Sequence, residues 1–195
     1  MTELELVRRA KTGDRAAVAE LLGTHATQAY RLALHIVGKR ADAEDTTQAA
    51  LVKAFTNLRG FDERRPFAPW LLRIVAHEAL NLKRAERTRF AFWQRQAQTV
   101  ESEETVESAV LVREEHQELR RALNRLRTDD RLVLALTFFI GLNEEDAAAT
   151  LGIKRGTVKS RKHNALVRLR AVVEREFPQL QWEGIGQPES EGAPQ

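Results

Sequence analysis

The chain has 195 residues, 43% of them hydrophobic and 30% charged, with a net charge of only +3, so it can form an apolar core and is not a disordered polar chain. It contains no cysteine, which excludes disulfide bonds and thiolate chemistry. No run of about 18 apolar residues occurs and the charged N-terminus lacks a signal-peptide core, so we expect a cytoplasmic protein without membrane insertion.

The small net charge hides a strong separation of basic and acidic blocks. Residues 154–170 carry seven basic residues and no acidic one, and residues 83–95 carry five basic residues against one acidic. Residues 100–118 carry seven acidic residues against one basic. Charge blocks of this kind indicate long-range electrostatic contacts, and the basic blocks suit a polyanion.

Apolar residues recur at helical spacing along almost the whole chain, and no alternating strand pattern occurs, so the sequence predicts an all-α protein. Gly60 and two prolines predict a loop over residues 59–69. The helices of the front half are separated by local breaks. They are predicted as a short helix before Gly13, a second ending at Gly38, a third over residues 42–58 and a fourth from Trp70 to about Arg89.

After the fourth helix, residues 94–113 combine weak periodicity with many acidic residues, which predicts a flexible acidic linker. The expected organisation is therefore two small helical domains, residues 1–93 and residues 114–177. Residues 178–195 hold prolines and glycines and are predicted to form a disordered tail.

Two helices of the second domain meet at a very short turn that holds Gly152. Thr128 and Asn143 are predicted to cap helices of this domain, and Gly152 can supply the positive φ of a sharp turn. Together these features predict a helix-turn-helix, whose second helix places its N-terminal part in the major groove of DNA. The residues predicted to contact base edges or phosphates are Lys154, Arg155, Thr157, Lys159, Ser160 and Arg161.

The same pattern fits a helical hairpin with a basic solvent face, and the residues alone leave both interpretations open. Lys162 lies in the predicted buried stripe of the second helix, with Val158, Ala165, Leu169 and Val172. Its aliphatic stem is expected to lie along the apolar face while its ammonium group reaches solvent.

Two long stretches of the chain resemble one known family. The stretch "LNEEDAAATLGIKRGTVKSRKHNALVRLR" resembles the second conserved domain of bacterial sigma factors of the extracytoplasmic-function type. The stretches "LVRRAKTGDRAAVAELLGTHATQAYRLALHIVGKRADAEDTTQAALVKAF" and "PFAPWLLRIVAHEALNLKRAERTR" resemble the first conserved domain. Both occur in the family's order and cover most of residues 4–173.

The resemblance implies a promoter-specificity subunit of RNA polymerase. Its first domain would bind core polymerase and recognise and melt the −10 element, and its second would contact the −35 element. Asp42, Asp45 and Gln48 match the family's polymerase-binding face, although an acidic first turn is also ordinary in any helix. An anti-sigma factor is a further partner that is common in the family.

Promoter melting requires groups that stabilise unpaired bases, and in the family these come from the loop matching residues 58–67 and from the following helix. Rings and positive charges occur there in this chain, whereas Trp70 is expected to pack in the core. The predicted −10 contacts are Arg59, Phe61, Arg64, Arg65, Phe67, His77, Asn81, Lys83, Arg84 and Arg87.

Two rival functions differ from this interpretation. A stand-alone helix-turn-helix regulator would need no basic segment or aromatic loop in its front domain. An enzyme would need a phosphate loop, a metal-ligand cluster or a nucleophile motif, and none of these motifs occurs in the sequence. We therefore expect no catalytic residues, no metal and no cofactor.

Overall fold

A computed structural model describes residues 2–96, 114–178 and 180. Over these ranges the chain is helical and forms no strand, which confirms the all-α prediction. The helices are α1 Glu3–Lys11, α2 Arg15–Val37, α3 Arg40–Asn57, α4 Phe67–Gln96, α5 Glu114–Asn124, α6 Thr128–Leu134, α7 Glu144–Leu151 and α8 Arg155–Glu176. A 3₁₀ turn, Leu58–Gly60, follows α3, and a π-helical turn, Ala135–Phe139, follows α6.

Helices α1–α4 form the front module, and their ends follow local chemistry. Thr2 and Glu5 form a capping box at the start of α1, and Asp14 accepts the first amide hydrogens of α2. Gly38 ends α2 in the left-handed conformation, with φ of 86°. The sequence prediction of separate helices on either side of residues 13–14 and 38 is confirmed.

Helix α4 is longer at both ends than the sequence predicted. It begins at Phe67 rather than Trp70, because Pro69 lies in the first turn, where a helix needs no amide donor. It continues to Gln96, beyond the predicted end near Arg89 and three residues into the predicted linker. The remainder of that linker and residues 181–195 of the tail lie outside the described residues.

Helices α5–α8 form the rear module around a small apolar core. Leu134 of α6 and Ala122 of α5 pack against Ala165 and Leu169 of α8. The predicted cap at Thr128 is wrong, because Thr128 is already the first helical residue and follows Arg127 in extended conformation. The π-helical turn continues α6 without a break, so the helical segment runs from Thr128 to Phe139.

The two modules contact each other in this structure. Helix α7 packs against α4, and its Ala147 and Ala148 belong to the same buried cluster as Leu72 and Ala76 of α4. Small residues at this contact allow the two helix backbones to approach closely. The apolar faces of the two modules therefore form one continuous core.

Polar groups surround this contact between the modules. The Gln28 side-chain amide donates to the Ile140 carbonyl at 3.5 Å, and the Arg120 guanidinium donates to the Gly38 carbonyl at 3.1 Å. The His35 ring lies 4.2 Å from the Phe139 ring, centroid to centroid. Burial, followed by the nearby positive charge of Arg120, lowers the pKa of His35, so the ring is held neutral at the contact.

Candidate nucleic-acid interface

The turn between α7 and α8 has the local chemistry of a helix-turn-helix. The Asn143 side-chain oxygen accepts from the Asp146 amide at 2.8 Å, which confirms the predicted cap of α7. Gly152 ends α7 with φ of 67°, a conformation that favours glycine, and its amide donates to the Ala148 carbonyl. Only three residues, 152–154, connect α7 to α8, which begins at Arg155.

The residues predicted to contact DNA occupy the turn and the first two turns of α8. Lys154, Arg155, Lys159 and Ser160 are exposed, whereas Thr157 and Arg161 are half-buried. Lys154 precedes the helix without a side-chain hydrogen bond to its first amides. These amides, the helix dipole and the surrounding cations make the start of α8 suitable for a phosphate group.

Three acidic side chains hold several of the basic residues of α8. Glu144 accepts from Lys162 at 2.7 Å and lies 3.7 Å from Arg155. The other two acids lie on α6 and also pair with basic residues of α8. They are Asp129, 3.4 Å from Arg161, and the buried Asp130, 2.5 Å from Arg168. The sequence suggested an unopposed basic block, but folding brings acids from α6 and α7 beside it.

The Glu144 pair explains the lysine in the apolar stripe of α8. Val158, Ala165 and Leu169 are buried as predicted, and Val173 takes the buried position predicted for Val172. Lys162 lies between them and is half-buried, with its ammonium group on Glu144 rather than free in solvent. The Lys162 side chain, followed by Arg155 and Lys159, lowers the pKa of Glu144.

Replacing Glu144 by glutamine is therefore expected to lower the free energy of unfolding by about 1 kcal/mol at neutral pH. Because the folded-state pKa of Glu144 is lowered, this contribution is present above the ordinary value of 4.5 and is lost as the pH falls through the folded-state pKa. Urea unfolding of wild type and Glu144→Gln at several pH values measures it. Glu145→Gln is the matched control, because Glu145 lies in the same first turn of α7, at the same end of the helix dipole, but its side chain is exposed. An equal loss in the free energy of unfolding in both variants would contradict a specific contribution from the Glu144–Lys162 ion pair.

The loop between α3 and α4 exposes its arginines but not its rings. Arg59, Arg64 and Arg65 are exposed, and the last two side chains are 89% and 76% accessible. Phe61 and Phe67 are only 4% and 1% exposed, because they pack on each other and on Trp70. As packed here, neither ring is accessible to an unpaired base, which argues against that part of the prediction.

The exposed side of α4 presents one row of polar side chains. His77 and Asn81 lie one turn apart with their side-chain nitrogens 3.2 Å from each other, and Arg84 donates to the Asn81 oxygen at 3.3 Å. Lys83 points to a different side, where it pairs with Glu86 at 3.2 Å. The predicted −10 contacts on α4 are thus brought together only in part, and the Arg87 side chain lies outside the described atoms.

Helix α3 carries an exposed face that is larger than the predicted polymerase-binding residues alone. Asp45 and Gln48 are exposed and one turn apart, whereas Asp42 is half-buried. Val52 and Phe55 continue along the same helix with 62% and 54% of their surface exposed. Both apolar residues lie outside the buried stripe of α3, which is a signal of a contact surface, but they were not among the residues predicted to bind a partner. Such a mixed acidic and apolar face is typical of a protein–protein contact.

Among the residues that the structure describes, no group of three or more His, Asp or Glu side chains has the arrangement of a metal site. No helix over the same ranges is long and apolar enough to span a membrane.

Comparison with known families matches both modules in chain order. Residues 21–89 match the family described as Sigma-70 region 2, and residues 117–171 match Sigma-70, region 4. RNA polymerase sigma factor NccH of Alcaligenes xylosoxydans xylosoxydans is 31% identical over 173 residues, which cover 87% of this chain and 93% of NccH. ECF RNA polymerase sigma factor SigW of Bacillus subtilis is 27% identical over 173 residues, which cover 84% and 92% of the two chains.

Two solved structures share the fold over most of the chain. The structure of CnrH in complex with the cytosolic domain of CnrY has a TM-score of 0.68 and 25% identity, and the match covers 89% of this chain and 98% of CnrH. The complex of the sigma factor RpoE with the anti-sigma factor NepR from Bartonella quintana has a TM-score of 0.62 and 26% identity. That match covers 80% of this chain and 96% of RpoE.

Proposed function

The chain belongs to the ECF type of sigma-70 family RNA polymerase sigma factors, non-catalytic factors that bind core polymerase and direct promoter-specific initiation, and we propose how its residues divide this work. The front module, residues 1–93, binds core polymerase and the −10 element. The rear module, residues 114–177, binds the −35 element. One observation supports this division most strongly, namely the exposed basic start of α8, the second helix of the helix-turn-helix.

The rear module contacts the −35 element through the start of α8. Arg155, Lys159 and Ser160 are exposed on the first two turns and have the side chains that bind base edges and phosphates. Lys154 and the amides at the start of α8 add phosphate contacts, which fix the orientation of the helix in the groove. Thr157 and Arg161 lie at the edge of this surface, and Arg161 must leave Asp129 to bind DNA.

The front module binds the melted −10 element with the arginines of its loop and the polar row of α4. Arg59, Arg64 and Arg65 attract the backbone of the displaced strand, and the exposed loop that carries them receives an unpaired base. His77 and Asn81 offer hydrogen-bonding groups to base edges on the adjoining helix face. Phe61 and Phe67 support the loop from inside the core instead of stacking on bases.

Core polymerase binds the exposed face of α3. Asp45 and Gln48 offer a charge and an amide to the partner, and Asp42 lies at the edge of the same face. Val52 and Phe55 extend this face with exposed apolar surface, which supplies binding energy once water is excluded. This assignment uses both the polar and the apolar residues of the helix, and the factor acts in the cytoplasm with the polymerase.

The two modules must separate to occupy both promoter elements. Elements centred near −35 and −10 are about 25 base pairs apart, or about 85 Å along straight duplex at 3.4 Å per base pair. In the structure α7 packs directly on α4, so the modules lie far too close for simultaneous binding. Residues 97–113 can span about 60 Å when extended, which permits separation once the contact is broken.

An anti-sigma factor is a further partner in this proposal. The compared structures of CnrH and RpoE are complexes, with the cytosolic domain of CnrY and with the anti-sigma factor NepR. A partner that stabilises the contact between α4 and α7 would keep this chain from binding both promoter elements.

Transcription by purified core polymerase with and without this chain tests the function. We expect the chain to produce discrete 5′ ends on a genomic DNA template, and core polymerase alone to produce none of them. A stand-alone regulator would instead bind DNA without polymerase and would not restore initiation by core polymerase. Transcripts that do not depend on the chain would contradict the proposal.

A further inference from the structure

Helix α1 is attached to the loop between α3 and α4 at both ends of that loop. Phe61 opens the loop and Phe67 closes it, and polar groups of α1 contact both residues. Residues 3–11 lie before residue 21, where the match to Sigma-70 region 2 begins. The family match therefore assigns no role to these contacts.

Lys11 and Arg8 hold the first half of the loop. The Lys11 ammonium group donates to the Phe61 carbonyl at 3.0 Å and to a Glu63 carboxylate oxygen at 3.0 Å. Arg8 donates to the other carboxylate oxygen of Glu63, also at 3.0 Å. Hydrogen bonds from Lys11 and then from Arg8 lower the pKa of Glu63, so this carboxylate is ionised at neutral pH.

Glu3 holds the second half of the loop. One of its carboxylate oxygens accepts from the Phe67 amide at 3.4 Å, and the other lies 3.1 Å from the Nε2 atom of His25. The His25 ring packs at 5.4 Å from the Phe67 ring, centroid to centroid. The backbone amide of Phe67, the first residue of α4, is thus fixed by a side chain from the first turn of α1.

The segment between these two attachments is ordered by Asp62. Its carboxylate accepts from the Arg64 amide at 3.1 Å and from two guanidinium nitrogens of the same residue at 2.9 and 3.0 Å. The hydrogen bonds from Arg64 lower the pKa of Asp62 to about 2. Arg64 and Arg65 remain exposed, so the loop presents two cations on a fixed backbone.

We propose that Lys11 and Glu63 are positioning residues that hold the loop in the conformation that binds unpaired promoter bases. The inference rests on the proposed role of the loop in the −10 element. A loop fixed before binding loses less conformational freedom on binding than a loose one, and it discriminates better between bases. The contacts themselves add little to stability, because they lie near the surface while Leu6, Val7 and Ala10 anchor α1 in the core.

The test measures base preference of the polymerase complex for single-stranded DNA. The probe is a library with a short duplex and a random single-stranded extension, and sequencing of the bound fraction gives the preference at each position. For Lys11→Met and Glu63→Gln we expect the strongest base preference to fall by roughly threefold to tenfold. Lys11→Arg keeps a cation at the same place and is expected to retain the wild-type preference.

Lys39→Met is the matched control, because Lys39 is exposed and lies before α3 rather than on the loop. It removes the same charge and is expected to leave the preference unchanged. Affinity for core polymerase and the thermal midpoint confirm that each variant is folded. The inference is overturned if Lys11→Met and Glu63→Gln keep the wild-type preference, or if Lys39→Met flattens it equally. A wild-type complex without any base preference would instead contradict the proposed role of the loop, and the inference with it.

Discussion

Joining the two modules covalently is expected to abolish promoter-dependent transcription. Because the chain has no cysteine, Gln28→Cys and Ile140→Cys introduce the only two thiols. The Gln28 amide lies 3.5 Å from the Ile140 carbonyl, so a short bifunctional maleimide can link the two positions. The linked protein can place one module on its promoter element but cannot place the second.

The size of the loss in promoter binding follows from the tether that joins the two modules in the natural chain. When one module is bound, the tether converts binding of the other into an intramolecular step, which raises the overall affinity by about 10² to 10⁴. Locking the modules together removes this gain, so we expect promoter binding to fall by about two orders of magnitude or more. Filter binding of polymerase complexes and run-off transcription both measure the loss.

Two controls distinguish the effect of the cross-link from damage to either module. Each single cysteine variant treated with the same reagent is expected to transcribe like wild type. A cross-linker with a cleavable disulfide spacer is expected to restore activity when a reductant is added. Full activity of the linked protein would show that the modules act on the promoter without separating, against the proposed division of work.

The parts of this fold that were predictable from sequence are those that depend on neighbours along the chain. Asn143 caps α7 through an amide three residues away, and Gly152 needs only its own φ. The burial of Phe61 depends on Phe67 and Trp70 across a loop, so its ring was assigned to the wrong environment. Its exposure is set by tertiary packing, which the local pattern does not encode.

The ion pairs of the candidate site show more clearly that local sequence patterns do not predict contacts between distant residues. Lys162 is paired with Glu144, 18 residues earlier, and Lys11 with Glu63, 52 residues later. No periodicity in the sequence connects such positions, and block counts of charge even suggested that α8 was unopposed. The sequence identified which residues are basic, whereas only the fold identified which of them are already held by an acid.

Reversing the charge of Asp45 is expected to cause the second large effect, a loss of affinity for core polymerase. Asp45 is exposed on α3, so an arginine there has room and the fold should remain intact. If a cation of the polymerase faces Asp45, Asp45→Arg replaces attraction by like-charge repulsion. A close like-charge contact at an interface costs several kcal/mol, which weakens the Kd about 100-fold or more.

Glu20→Arg is the matched control for this measurement, because Glu20 is exposed on α2 and receives the same change of charge. Phe55→Ala tests the apolar part of the face, since a ring that is 54% exposed contributes little to stability but is available to a partner. Titration of labelled core polymerase with each variant gives the affinities, and thermal unfolding confirms the fold. If Asp45→Arg binds as tightly as Glu20→Arg and Phe55→Ala as tightly as wild type, the polymerase binds another face. The exposed apolar residues of α3 would then need a different partner, because solvent alone does not favour two large apolar side chains on one surface.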